Sequence, residues 1–337
     1  MTTNERPSDD RNQSPRQRHS GMYELEYPAP VRASEESEPL PMVIALQGYA
    51  DAGQAISHAS MHLLQALDHQ PVASFKVDEL IDYRSRRPGV TIDHSRVIDR
   101  EDMSLDLHLV KDVEDQPFLL LAGPEPDLKW ESFSDAVVEL ARRTGVERVV
   151  TLYSAPMTVP HTRPLVISAH ASDEKLVQDF HTWDSRMIIP GAAALDTELK
   201  LSKQGVRTVG ITAHVPHYIA ASDYPEATHA LLKAAGKLTQ REIPLGALEA
   251  DMEKVKRQLA EQVEDNHEIG TVVSALERQY DAEAERMRRR RDNNLLQPGQ
   301  EIPTGEELGA EFEAFLADLS DDSDQGGRDG VDDKDGE

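Results

Sequence analysis

Two short runs, Met42–Leu46 (MVIAL) and Phe118–Ala122 (FLLLA), are apolar at every position. A strand of that kind has no face that can meet water, so it belongs inside a sheet covered by helices on both sides. The chain between and after them alternates in the same way. A turn over Gln47–Gly53 leads to a helical stretch from Gln54 to Leu67, then to a strand over Val72–Val77 and a charged connection from Asp78 to Pro88. Leu105–Leu109 (LDLHL) alternates as a half-exposed strand. The FLLLA strand stops at Gly123-Pro124-Glu125-Pro126-Asp127, and a helix follows from Trp130 to Arg143 with Gly145 as its C-cap. Strands are expected over Val146–Ser154, Pro164–His170 and Val206–Ala213, and helices over Ser172–Phe180, Gly191–Lys203 and Tyr224–Lys237. The fold class is therefore α/β, with a largely parallel or mixed sheet.

After Pro244 the period changes. Leu248, Met252, Val255, Leu259 and Val263 recur at helical spacing, as do Ile269, Val272, Val273, Leu276 and Tyr280. They predict a C-terminal helical hairpin, and Glu301–Leu319 predicts a third short helix. The expected organisation is a disordered tail over 1–21, an α/β core over 22–245, a helical extension over 246–319 and a disordered acidic tail over 320–337.

Charge and composition narrow the function. The 337 residues carry 36 Lys and Arg against 62 Asp and Glu, a formal charge of −26. Such a chain repels nucleic acid and anionic membranes, so neither is an expected partner. There are no cysteines, which excludes disulfides, thiolate zinc sites and Cys nucleophiles. The polar N-terminus lacks the apolar core of a signal peptide, and no apolar run approaches the ~20 residues of a membrane helix. A cytoplasmic location is expected.

Four features bear on chemistry. Gly48, Tyr49, Asp51 and Gly53 sit at the carboxyl end of the first buried strand, where ligands bind in open α/β sheets. A carboxylate at Asp51 opposes an anion there, and a tight turn with an Asp cap is the simpler reading. Between two strands, Pro156–Pro164 (PMTVPHTRP) holds His161 and Arg163, which can grip a carboxylate or phosphate. A rigid interface loop is favoured over that site. His214, His217 and Tyr218 follow a strand, but Pro216 separates the histidines and no carboxylate is suitably spaced, so structural histidines are expected and no metal. Arg286 and Arg288–Arg291 end a long helix and complement its dipole and its acidic neighbours. Arg84 and Arg87, in the segment DYRSRRP with Asp82 and Arg86, can line a cleft or an interface. No Walker loop, G-x-G-x-x-G, H-E-x-x-H or G-x-S-x-G is present, so no cofactor and no catalytic residue are assigned.

Taken together, GYADAG at 48–53, DYRSRRP at 82–88, FLLLAGPEPDLKW at 118–130, PMTVPHTRP at 156–164, AHVPHYIA at 213–220, LERQYDAE at 276–283 and GAEFEAFLADL at 309–319 resemble the bacterial branch of the proteasome assembly chaperone 2 family. The resemblance spans about Glu38 to Leu319. It implies a three-layer sandwich similar to the phosphorylase/hydrolase-like (purine nucleoside phosphorylase-like) fold. It also implies a homo-oligomer, with a trimer as the first candidate, and a non-catalytic role in binding proteins, proteasome α-subunits among them. Fold likeness to nucleoside phosphorylases carries no activity with it. Relatives that dock on the proteasome often end in a hydrophobic-Tyr-any tripeptide; here the last residues are Lys334-Asp335-Gly336-Glu337, and docking by that route is not expected. The alternative is an enzyme or binder for a small anionic metabolite, nucleoside- or phosphate-like, held in a cleft at the strand carboxyl ends.

Overall fold

The computed structural model describes residues 21–26, 40–183 and 185–294. The chain divides into two units, Met1–Tyr280 and Asp281–Glu337, and of the second only 281–294 are described. In the first unit the strands are β1 (Tyr23–Leu25), β2 (Leu40–Gln47), β3 (His69–Phe75), β4 (Val90–Asp93), β5 (Arg96–Arg100), β6 (Asp106–Lys111), β7 (Pro117–Pro124), β8 (Val146–Met157), β9 (Ile167–Ala171) and β10 (Arg207–Pro216). The helices are α1 (Ala55–Ala66), α2 (Val77–Leu80), α3 (Trp130–Thr144), α4 (Ala193–Lys203), α5 (Pro225–Thr239), α6 (Gly246–Asp265) and α7 (His267–Asn294), the last of which runs into the second unit.

Eight strands form one sheet in the order β1-β3-β6-β7-β2-β8-β10-β9. The centre, β7-β2-β8-β10, is parallel. Antiparallel strands flank it: β6, β3 and β1 on one side, β9 on the other. The physical cause lies in burial. β2 and β7 are enclosed on both faces except at their terminal residues, as parallel strands require. Alternate residues of β2 serve opposite cores. Val43 and Ala45 pack with Ile56 and Leu63 of α1 and with Leu231 and Leu232 of α5. Met42, Ile44 and Leu46 pack with Phe133, Val137 and Leu140 of α3 and Leu201 of α4. Each large side chain buried in this way contributes about 2–3 kcal/mol of transfer free energy.

Because the four central strands run the same way, the segments that follow them leave one edge of the sheet together. These are residues 48–54, 125–129, 158–166 and 217–224.

Several expectations change. The stretch 172–180 is not a helix but a single 3-10 turn, Glu174–Leu176. Asp173 stays extended and caps Lys175, and the backbone of Ser172 donates to Thr208, so the chain is held against β10. The hairpin β4–β5 and the edge strand β1 were not anticipated: every residue of the hairpin is exposed, and without a core-facing side its pattern is silent. Two helices follow Pro244 as expected, but α6 packs along α5 and not along α7, because Val255 and Leu259 turn toward the core beneath α5. The expected tails, apart from Gly21, and the helix over 301–319 lie outside the described residues. Among those residues no helix is long and apolar enough to cross a membrane.

Candidate functional site

The turn after β2 is built by its glycines and its aspartate. Gly53 has φ +69°, and a Cβ there would stand 2.8 Å from the Cβ of Tyr224, so only glycine fits. Its N–H donates to Ala220 O at 2.7 Å, and Tyr224 N–H donates to Gly53 O at 2.9 Å. Asp51 accepts from Ile56 N at 2.7 Å and from the backbone and hydroxyl of Ser57. It caps the start of α1 across the 3-10 turn Ala52–Gln54. Burial pushes the Asp51 carboxyl up, and those hydrogen bonds oppose the shift.

Gly48 and Tyr49 meet a residue that sequence reasoning treated only as part of a turn. The buried Glu125 accepts from Tyr49 N at 3.3 Å through Oε2 and from Ala193 N, at the start of α4, at 2.7 Å through Oε1. Two residues on, Asp127 accepts from Asp82 N at 2.9 Å and pairs with Arg86 at 3.5 Å, while Arg86 also donates to Gln47 O at 3.2 Å. Three separate motifs, GYADAG, DYRSRRP and GPEPD, thus converge on two carboxylates. Within DYRSRRP it is Arg86 that reaches the sheet edge. Arg84 lies in solvent against Asp82, at 3.1 Å, and Arg87 is exposed. The signal was present in the register, since Gln47 pairs with Pro124 and so sets Gly48 beside Glu125.

The 158–166 loop is tied down twice. His161 N donates to Tyr218 Oη at 2.9 Å, and its Nδ1 lies 2.7 Å from the same oxygen. Burial lowers the His161 pKa. Arg163 pairs with Glu277 of α7 at 2.9 Å, Thr162 donates to the same carboxylate, and Tyr280 Oη donates to Pro164 O at 2.9 Å. Sequence reasoning saw the helix but not the role of Glu277 in it. The structure brings His161 and Tyr218 together, and commits Arg163 to a protein carboxylate.

His214 and His217 part company. His214 is buried on β10, with Nε2 2.9 Å from Ser168 Oγ and its ring stacked on Trp183 at 5.7 Å. Burial, reinforced by His181, pushes its pKa down to about 4, so it is neutral at physiological pH. His217 is exposed. On the same face of the sheet the buried Glu198 accepts from Tyr153 Oη at 2.6 Å and contacts His170 Nε2 at 3.0 Å, a contact that raises the His170 pKa. Among the described residues no group of three or more acidic or histidine side chains is placed to hold a metal.

Most polar groups at the sheet edge are therefore bonded to neighbouring loops. The apolar ones are not enclosed: Tyr49 is 73 % exposed and Ile188, in the segment leading to α4, 96 %. Apart from this rim, a cleft of about 740 Å³ lies between α1, α5 and α6, with His58, His62, Asp223, Asp251 and Lys254 among its lining. Of the candidate site residues named from the sequence, Tyr218 is among its lining.

Residues 45–263 match the model of the PAC2 family. A protein of unknown function from Corynebacterium glutamicum has a similar crystal structure, with 52 % identity and a TM-score of 0.75, over 79 % of this chain and 98 % of that one. A Mycobacterium tuberculosis protein of unknown function shares 42 % identity with a TM-score of 0.77, over 86 % and 95 %. A proteasome-assembly chaperone homologue from Mycobacterium tuberculosis shares 26 % identity with a TM-score of 0.64, over 69 % and 100 %. No curated protein matches the chain.

Proposed function

We propose a protein-binding, assembly-type function from one premise: the chain belongs to the PAC2 family. A chaperone or assembly role is supported at the level of the family, and the proteasome-assembly chaperone homologue is similar over its whole length. The observation that carries the reading to this chain is the rim at the strand carboxyl ends. Its polar side chains are committed to backbone amides or to oppositely charged neighbours, as Asp51, Glu125, Asp127 and Arg163 are, while Tyr49, Leu128, Met187, Ile188 and Ile189 face outward. Apolar side chains on a rigid polar frame suit contact with a macromolecule better than turnover of a small polar substrate.

The partner in this reading is a protein, with proteasome α-subunits as the first candidate. The chain acts as a homo-oligomer, with three copies as the working number, in the cytoplasm. The sheet is taken to follow the phosphorylase/hydrolase-like arrangement without its catalysis. Gly48, Tyr49, Asp51, Gly53, Arg84, Arg87, His161, Arg163, His214, His217 and Tyr218 form or support the surface. The test mixes purified protein with purified α-subunits and follows the mass of the complex by size-exclusion chromatography with light scattering. Co-elution is expected, and it should be lost on Tyr49→Ser with Ile188→Ser. Separate elution at every ratio tried would remove the basis of the reading.

A second reading rests on the 740 Å³ cleft, whose volume suits a small ligand. His58, His62 and Lys254 would meet an anionic metabolite there. A thermal-shift screen of nucleosides, phosphates and sugars decides it, because a ligand at 100 times its Kd adds about 2.7 kcal/mol. No shift with any compound, and none altered by Lys254→Ala, rejects this second reading.

A further inference from the structure

We infer that Glu125 couples the turn at 48–54 to the segment that opens α4, so that the two exposed apolar stretches they carry shift together. The inference goes beyond the protein-binding reading and stands whatever that surface receives.

Three observations carry it. Glu125 is 7 % exposed, and its two carboxylate oxygens face different loops: Oε2 takes the N–H of Tyr49 and Oε1 the N–H of Ala193. The approach on the first side is as close as a backbone allows, because a Cβ at position 48 would stand 2.3 Å from Oε2 and 2.8 Å from the Glu125 Cβ. On the second side the carboxylate sits at the amino end of α4, where the helix dipole favours it and Ala192 supplies no side-chain cap. A buried carboxylate that loses one of two donors cannot turn to water for another, so it must rotate, and rotation breaks the other bond. The turn bears Tyr49, 73 % exposed, and the segment before α4 bears Met187, Ile188 and Ile189, of which Ile188 is 96 % exposed. Movement of either stretch is therefore transmitted to the other through one side chain.

Coupling of this kind is reciprocal, and the test uses that property. Amide hydrogen exchange is measured segment by segment on the full chain. Gly48→Ala displaces the carboxylate from the first side. Ala193→Pro deletes the donor on the second, at a position where proline suits a helix start and where Ala192 is already extended. Glu125→Gln weakens both bonds and keeps the shape. We expect Gly48→Ala to raise exchange at 193–196, and Ala193→Pro to raise it at 49–54, by about tenfold each. Glu125→Gln should raise both, with exchange in α3 unchanged. If Gly48→Ala does not fold, the other two variants carry the test. Effects confined to the substituted loop overturn the inference, and so does a uniform rise across the whole sheet.

Discussion

Acid should loosen this protein through His214, and the size of the effect follows from where the ring sits. His214 is 6 % exposed, bonded to Ser168 and enclosed by Trp183 and His181. Burial, and then His181, hold its pKa at about 4, against 6.5 for an ordinary histidine. The sign follows from proton binding. Below 6.5 the unfolded chain takes up a proton that the folded chain refuses until about 4. Stability is therefore full above 6.5 and is lost as pH falls from there toward 4. At pH 5 the loss from this one group is about 2 kcal/mol. Carboxylates titrate over part of the same range, so the measurement is a difference. Wild type and His214→Gln, which keeps a hydrogen-bonding group but does not titrate, are unfolded with denaturant at pH 7.5 and at pH 5. The variant should be the less stable at the higher pH, because packing against Trp183 is altered. Its deficit should shrink by about 2 kcal/mol at the lower pH. A deficit that stays constant, or a His214 NMR titration centred near 6.5, would falsify the reasoning.

Gly53→Ala should cost about 2 kcal/mol or more in denaturant unfolding, since it combines a φ of +69° with a Cβ 2.8 Å from Tyr224. A loss below about 0.5 kcal/mol would mean that the turn relaxes without cost. Glu277→Gln breaks a half-buried ion pair with Arg163 and should lower stability by about 1 kcal/mol, while amide exchange over 161–165 quickens; unchanged exchange would argue that α7 does not guard the loop. His170 should titrate above its ordinary range because of its contact with Glu198. Its contribution to stability is thus complete below the unfolded pKa and fades as pH rises through the folded one. In Glu198→Gln the NMR titration of His170 should fall back, and an unmoved midpoint would count against the pairing.

Some of this architecture was legible in order and some was not. β2 and β7 could be read from their uniform apolarity, because no other arrangement buries both sides of such a strand. The α3 helix and its Gly145 cap were legible from local spacing and turn chemistry. The hairpin β4–β5 was not, since all its residues are exposed and periodicity records only the face that burial selects. The 172–180 stretch misled for the converse reason: its residues tolerate a helix, and the bonds from Ser172 to Thr208 and from Ala169 to His181, at its two ends, decide otherwise.

The candidate site divides along the same line. Asp51 as a cap could be foreseen, because it sits within a few residues of the amides it meets. His161 with Tyr218, Arg163 with Glu277 and Glu125 with Ala193 join residues 57, 114 and 68 positions apart. Those partners are set by which strand lies beside which.

By itself the sequence determined the layer plan of the protein: covered parallel strands, the helices between them, and the residue types available at each turn. Only the tertiary structure decided which turns share a carboxylate, which histidine is sealed from water and which arginine is already neutralised. The reason is physical. Periodicity and capping act over a few residues along the chain, whereas burial and charge pairing act through space, and strand order alone determines what space brings together.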